Sequence, residues 1–194
     1  MTIVLASQSP RRKQLLEWAE VPFEIVIKST EETFPNHLPT EEIPVHIARE
    51  KAFAVSNHIN LHLPQYINKT ILAADTVVVL ENKIIGKPKD REHAIDTLKL
   101  LSGKKHSVIT GVVILNAANE IAFADTTYVT FNDLTADEII YYVDKYKPYD
   151  KAGAYAIQEW IGVVGIHSIE GDFYNVMGLP VSRVVKALGM IDKV

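Results

Sequence analysis

The run Thr70-Ile71-Leu72-Ala73-Ala74-Asp75-Thr76-Val77-Val78-Val79-Leu80 constrains the fold of this chain more than any other segment. It is nearly all apolar and β-branched, with no alternation of polar residues, which predicts a central strand buried on both faces. Asp75 interrupts it. An unpaired carboxylate at such a place is expensive to ionise, so Asp75 needs a cation, a metal or hydrogen-bond donors around it. The remaining segments give the order of elements. A short strand near Ile3–Leu5 leads to a helix over 10–19, with Ser9 as N-cap and Pro10 at the first helical position. A second strand covers Val21–Ile27, a loop with Pro35 and Pro39 covers 28–39, and Thr40 caps a helix to about residue 57. Residues 58–69 read as irregular.

Beyond the central strand, a turn at 81–83 leads to Ile84-Ile85 and then Gly86-Lys87-Pro88. Asp90 caps a helix over 91–101, which Gly103 ends. Strands at about 105–115 and 120–131 form a hairpin through the turn 116–119. Thr135 and Glu138 make a capping box for a helix that stops before Pro148. A turn at 150–155 and a strand near 162–169 follow, and Gly178-Leu179-Pro180 opens a last helix closed by Gly189. βα units mixed with a hairpin predict an α/β fold with a mixed sheet. No repeat or composition break divides the 194 residues, so 1–194 reads as one domain, with a core of adequate size.

Composition excludes several classes. The net charge of −4 argues against stable nucleic-acid binding, which rests on broad cationic surface. Without cysteine there is no disulfide, thiolate catalysis or Cys-type zinc site. No leader-like segment precedes the first strand and no apolar run reaches the ~18 residues of a membrane span, so a cytoplasmic location is expected. There is no Walker A loop, dinucleotide glycine fingerprint or nucleophile elbow. His58 and His62 lack the glutamate of a metalloprotease helix, and His106 sits in a strand-like run that suits a structural role.

Against this acidic background the local cations stand out. Arg11, Arg12 and Lys13 occupy the first turn of a helix, where exposed N–H groups favour acidic residues. A bound phosphate reverses that cost, and a strand–turn–helix start is a natural phosphate site; a solvated basic turn is the alternative. On the helix from residue 41, Lys51 falls inside the apolar stripe of Ile43, Pro44, Ile47, Ala48, Ala54 and Val55. There it either snorkels to solvent or reaches an anion in a cleft. Lys87 follows Gly86 in a stiff loop, Glu31-Glu32 can complete a carboxylate pair with Asp75, and Gln158 offers an amide suited to a nucleobase edge.

In their order and spacing these segments resemble the Maf nucleotide pyrophosphatases almost end to end. The carrying motifs are Leu5-Ala6-Ser7-Gln8-Ser9-Pro10-Arg11-Arg12, Ala48-Arg49-Glu50-Lys51-Ala52, Ala74-Asp75-Thr76-Val77-Val78 and Gly86-Lys87-Pro88. Ser102-Gly103 with His106 and Thr110-Gly111, then Asp150-Lys151-Ala152-Gly153-Ala154-Tyr155 and Asn175-Val176-Met177-Gly178-Leu179-Pro180, complete them. The resemblance implies a house-cleaning enzyme that converts nucleoside triphosphates to monophosphate and pyrophosphate. It also implies a two-lobed α/β fold with an elongated mixed sheet flanked by helices and a site in the cleft, a divalent cation, and often a homodimer. Asp75 would be the proton acceptor, and Arg11, Thr76 and Gln158 would bear on substrate choice, in the pattern of the subgroup acting on dTTP and UTP.

For such a reaction Ser7, Arg11, Arg12, Lys51 and Lys87 can bind the phosphates. Glu32, favoured over Glu31 by the family pattern, and Asp75 would hold Mg²⁺ or Mn²⁺. An ordinary aspartate, with a pKa of about 3.9, is a feeble base toward bulk water, so Asp75 needs the metal's assistance. Lys13 is expected to face solvent. Two other readings compete: a non-catalytic inhibitor of septum formation with a protein or DNA partner, and an inosine/xanthosine triphosphate pyrophosphatase with a purine pocket.

Overall fold

The computed structural model of the chain describes residues 2–116 and 119–191. Its strands are β1 (Ile3–Leu5), β2 (Phe23–Ile25), β3 (Ile71–Leu80), β4 (Lys83–Ile85), β5 (Lys105–Asn116), β6 (Asn119–Phe131) and β7 (Ile166–Glu170). The helices are α1 (Pro10–Trp18), α2 (Ile43–His62), α3 (Arg91–Leu101), α4 (Ala136–Tyr146), α5 (Trp160–Val164), α6 (Phe173–Met177) and α7 (Val181–Ile191). The strands make one mixed sheet in the order β2-β1-β3-β5-β6-β7, with β4 paired to β3. β1 pairs in parallel with β2 and β3, whereas β3–β4 and β6–β7 are antiparallel. β3 is the expected buried strand: every residue but the half-buried Thr76 is buried.

The chain divides into two compact units. The first comprises Met1–Asp75, Thr110–Asp125 and Gly178–Val194, and the second Thr76–Ile109 and Thr126–Met177. In the first, a core of Val4, Ala6, Val26, Ile71, Ala73 and Val113 from the sheet side packs with Ala48, Ala52, Val55 and Ile59 of α2. Period-two alternation puts Ile71, Ala73 and Asp75 on one face of β3, the face that α2 covers. Small residues let that helix approach closely. Gly111 on β5 is one of them, because a Cβ there would lie 2.2 Å from the backbone of Pro44 and Val45 in the first turn of α2.

In the second unit, Phe131, Ile139, Tyr142, Val143, Leu98, Leu101 and Ile161 are buried. Arg91 on α3 grips both carboxylate oxygens of Asp144 on α4, at 2.6 and 3.0 Å. Buried His106 bonds the Tyr155 hydroxyl at 2.8 Å, and both rings meet Phe131 edge to face. His106 is thus a core residue, as its strand-like setting suggested.

Several boundaries differ from expectation. The helix predicted from Thr40 begins at Ile43, with Glu42 as N-cap. The Glu42 N–H closes a turn on the Pro39 carbonyl at 2.9 Å, which holds Thr40 and Glu41 outside the helix. That helix also runs on into the first part of the segment 58–69 read as irregular and stops at His62, since Leu63 precedes Pro64 and is steered away from helical geometry. The strand expected near 162–169 is a one-turn helix, α5, followed by the shorter β7. Gly162 and Gly165 donate to Glu159 and Ile161 carbonyls at 2.9 and 2.8 Å, closing helical turns that a short apolar run does not reveal. Gly189 lies within α7 instead of ending it, and the second strand shrinks to three residues. Helix α6 was not anticipated. Ala117 and Ala118 of the predicted hairpin turn lie outside the described residues.

Two outcomes follow from this packing. Gly111→Ala drives a methyl into backbone that cannot rotate away, so it should cost about 3 kcal/mol or more and lower the melting temperature by roughly 6–12 °C. A change within 2 °C in a thermal melt would mean that α2 shifts freely at this contact. Burial lowers His106 from the ordinary 6.5 to about 4, with a smaller opposing contribution from the Lys104 backbone. The unfolded chain therefore binds a proton that the folded chain refuses between about pH 6.5 and pH 4, and stability falls as pH drops through that window. The loss attributable to this ring is on the order of 3 kcal/mol. Urea titrations at pH 7 and pH 4.5 should show a smaller acid-induced loss for His106→Gln than for the natural chain; equal losses would contradict it.

Candidate active site

The first unit gathers six of the sequence-predicted residues. Lys51 extends from the buried stripe of α2, between Ala48 and Ala52, and its ammonium donates to Asp75 Oδ1 at 2.7 Å and Glu32 Oε1 at 2.7 Å. The Lys51 and Asp75 side chains are 18% and 13% exposed, so neither charge is fully solvated. Of the two readings open for Lys51, the structure selects reach over snorkelling. Asp75 has the cation its position in a buried strand required, and Glu32 is the loop carboxylate that joins it.

The turn between β1 and α1 carries the other members. Ser9 caps α1 by accepting from the Arg12 N–H at 3.4 Å. Ser7 Oγ accepts from the Ser9 N–H at 3.2 Å and from an Arg12 Nη at 3.1 Å. The Arg12 Nε donates to the Gly178 carbonyl at 2.8 Å. Gly178 has φ +112°, a conformation that favours glycine, and this glycine is the one sequence signal for an anchor that motif reading alone did not identify. Burial holds Arg12 below the ordinary arginine value, and the neighbouring charge of Arg11 adds to this, while Asp75 and Glu32 act in the opposite sense. Ser7, Arg11, Arg12, Glu32, Lys51 and Asp75 thus form one electrostatic group. Lys13 points away from it and pairs with Glu17 at 3.8 Å on the exposed face of α1.

The second unit holds Thr76, Lys87 and Gln158. The Gly153 N–H donates to the Gly86 carbonyl at 3.2 Å, which ties the loop of Lys87 to the segment that leads to Gln158. Gly153, at φ +70°, also sits so close to Val78 of β3 that a Cβ would meet it at 3.0 Å. Lys87 and Gln158 are exposed, and Thr76 is half-buried beside Asp75 in the chain. Lys151, by contrast, is buried and pairs with Asp150 at 2.8 Å and Glu159 at 3.5 Å. Among the described residues, no three His, Asp or Glu side chains gather as a ready-made metal cage. None of the described helices is long and apolar enough to cross a membrane.

Chemically, the first group offers two acidic oxygens bridged by one ammonium beside two guanidinium groups. That arrangement suits a polyanion and a proton transfer. The family model described as Maf-like protein matches residues 2–191. A dTTP/UTP pyrophosphatase of Cytophaga hutchinsonii is 48% identical over 186 residues, covering 96% of this chain and 82% of that one. Those of Bacteroides fragilis and Porphyromonas gingivalis are 47% and 46% identical, each over 96% of this chain and over 94% and 92% of their own lengths. Among solved structures, the Staphylococcus aureus Ham1 protein is similar with a TM-score of 0.45 at 17% identity, over 69% of this chain and 73% of that one. The chain belongs to the Maf family.

Proposed function

We propose that the chain is a nucleoside triphosphate pyrophosphatase that hydrolyses dTTP and UTP to the monophosphate and pyrophosphate. The observation that carries this reading is the Lys51 ammonium held at 2.7 Å from both Asp75 and Glu32. The activity for which relatives nearly half identical over almost the whole chain are named supports the substrate class.

The donor set fits a divalent cation. Asp75 and Glu32 present hard carboxylate oxygens to one point, and Mg²⁺ or Mn²⁺ is commonly held by one or two carboxylates together with substrate phosphates and water. Asp75 and Glu32 would be its protein ligands, in competition with the Lys51 ammonium for the same oxygens. When bound, such an ion supplies positive charge at the phosphates and eases ionisation of water.

The chain's own groups do the rest. Ser7, Arg11, Arg12, Lys51 and Lys87 bind phosphate oxygens, and the firmly anchored Arg12 offers its charge without reorganising. Asp75 accepts the proton of the water that attacks the α-phosphorus. Pyrophosphate leaves as the stabilised anion, held by the same cations. Arg11, Thr76 and Gln158 set the choice of nucleotide, Gln158 through the donor and acceptor of its amide.

The test is pyrophosphate release from dTTP with Mg²⁺. Asp75→Asn keeps the size of the side chain and leaves Lys51 paired with Glu32, so the fold should survive while turnover drops by at least about 1,000-fold. Near-normal turnover in a folded Asp75→Asn protein would remove Asp75 from the proton-acceptor role. Within a panel of canonical and modified nucleotides, dTTP and UTP should be hydrolysed most efficiently. A preference for inosine or xanthosine triphosphate would overturn the pyrimidine assignment, and no hydrolysis at all would overturn the enzyme reading.

A further inference from the structure

Gln158 stands at the third position of a four-residue turn, closed by the Glu159 N–H on the Ala156 carbonyl at 3.1 Å. Both ends of that turn meet one atom. The hydroxyl of Tyr142, a wholly buried residue of α4, accepts the Ala156 N–H at 3.1 Å and donates to the Glu159 carboxylate. The other carboxylate oxygen of Glu159 lies 3.5 Å from the Lys151 ammonium, which also bonds Asp150 at 2.8 Å. Within the turn, Ile157 is buried and Gln158 is the exposed side chain.

A glutamine on a free loop samples many rotamers and backbone states, and fixing it on contact with a ligand costs entropy. Here the backbone on either side of Gln158 is already fixed. The single hydroxyl that fixes it is placed by α4, whose capping box at Thr135 and Glu138 and whose Arg91–Asp144 clamp hold the helix in register. Lys151, itself buried, sets its ammonium against the Glu159 carboxylate, the counter-charge that a partly buried carboxylate calls for.

We infer that Tyr142, Glu159 and Lys151 are positioning residues that hold the Gln158 amide ready for the edge of the substrate's base, so that nucleotide preference depends on a hydroxyl that never touches the nucleotide. The inference rests on the reading of Gln158 as the residue that contacts the base. It assigns the Asp150-Lys151 motif to the support of this turn.

Tyr142→Phe removes the hydroxyl and keeps the ring that stacks on Tyr146 at 5.0 Å. For dTTP, KM should rise about tenfold, the scale of one or two lost hydrogen bonds, with kcat changed less than about twofold. The preference for dTTP over ATP, taken as a ratio of kcat/KM, should fall in parallel. Gln158→Ala should lose the same preference, and the double variant should be no worse than Gln158→Ala alone, because the staple acts through that side chain. A Tyr142→Phe protein that melts at lower temperature but keeps KM and preference, while Gln158→Ala loses them, overturns the staple and leaves the base reading intact. A Gln158→Ala protein with unchanged preference overturns the base reading, and the positioning role with it.

Discussion

An ion pair set into a buried strand organises the first unit. Asp75 lies between Ala74 and Thr76 in a strand whose neighbours are almost wholly shielded from water, a place where a polar group is costly without a partner. Lys51 is that partner, at 2.7 Å. The pairing follows from two periodicities: alternation on β3 turns Asp75 toward α2, and the helical repeat places Lys51 in the buried stripe with Ala48, Ala52 and Val55. Alanines beside the lysine keep helix and strand close enough for the contact. A buried pair of this kind is poor evidence for added stability, since desolvation offsets the attraction. Under the proposed function it is an arrangement for chemistry that the surrounding apolar core maintains.

Around that pair, backbone geometry does the placing. Arg12 is held by Ser7 at one nitrogen and by the Gly178 carbonyl at another, so a cation that looked misplaced in the first turn of α1 is fixed by its own fold. Gly111 gives α2 the room it needs, and Gly178 presents a carbonyl from a conformation that suits glycine. In the second unit, Gly153 links the Gly86 loop to the Gln158 segment, and Tyr142 holds the turn itself. Candidate groups are therefore carried by short, multiply bonded turns, which limits the reorganisation needed when a ligand arrives.

Much of this was legible in the chain. The long apolar run marked β3, Asp90 and the Thr135–Glu138 box marked the starts of α3 and α4, and Asp75 announced a need for a partner. The start of α2 was not, because Thr40 is a good cap by type and only the turn closed by Glu42 on Pro39 excludes it. Helix α5 escaped notice because five apolar residues fit a strand or a helix turn equally well. Lys151 stood in the Asp150–Tyr155 motif without a role of its own, and only its burial against Glu159 shows which charge it meets. Long periodic segments and misplaced charges show themselves in sequence; contacts made through one distant hydroxyl or carbonyl do not.

In the proposed reaction the group around Lys51, Asp75 and Glu32 directs water to the α-phosphorus of a nucleoside triphosphate. Hydrolysis of dTTP in heavy-oxygen water, followed by mass spectrometry of both products, locates the bond that water forms. Solvent oxygen should enter the thymidine monophosphate and be absent from the pyrophosphate. Label in the pyrophosphate, or release of labelled orthophosphate in its place, would contradict it.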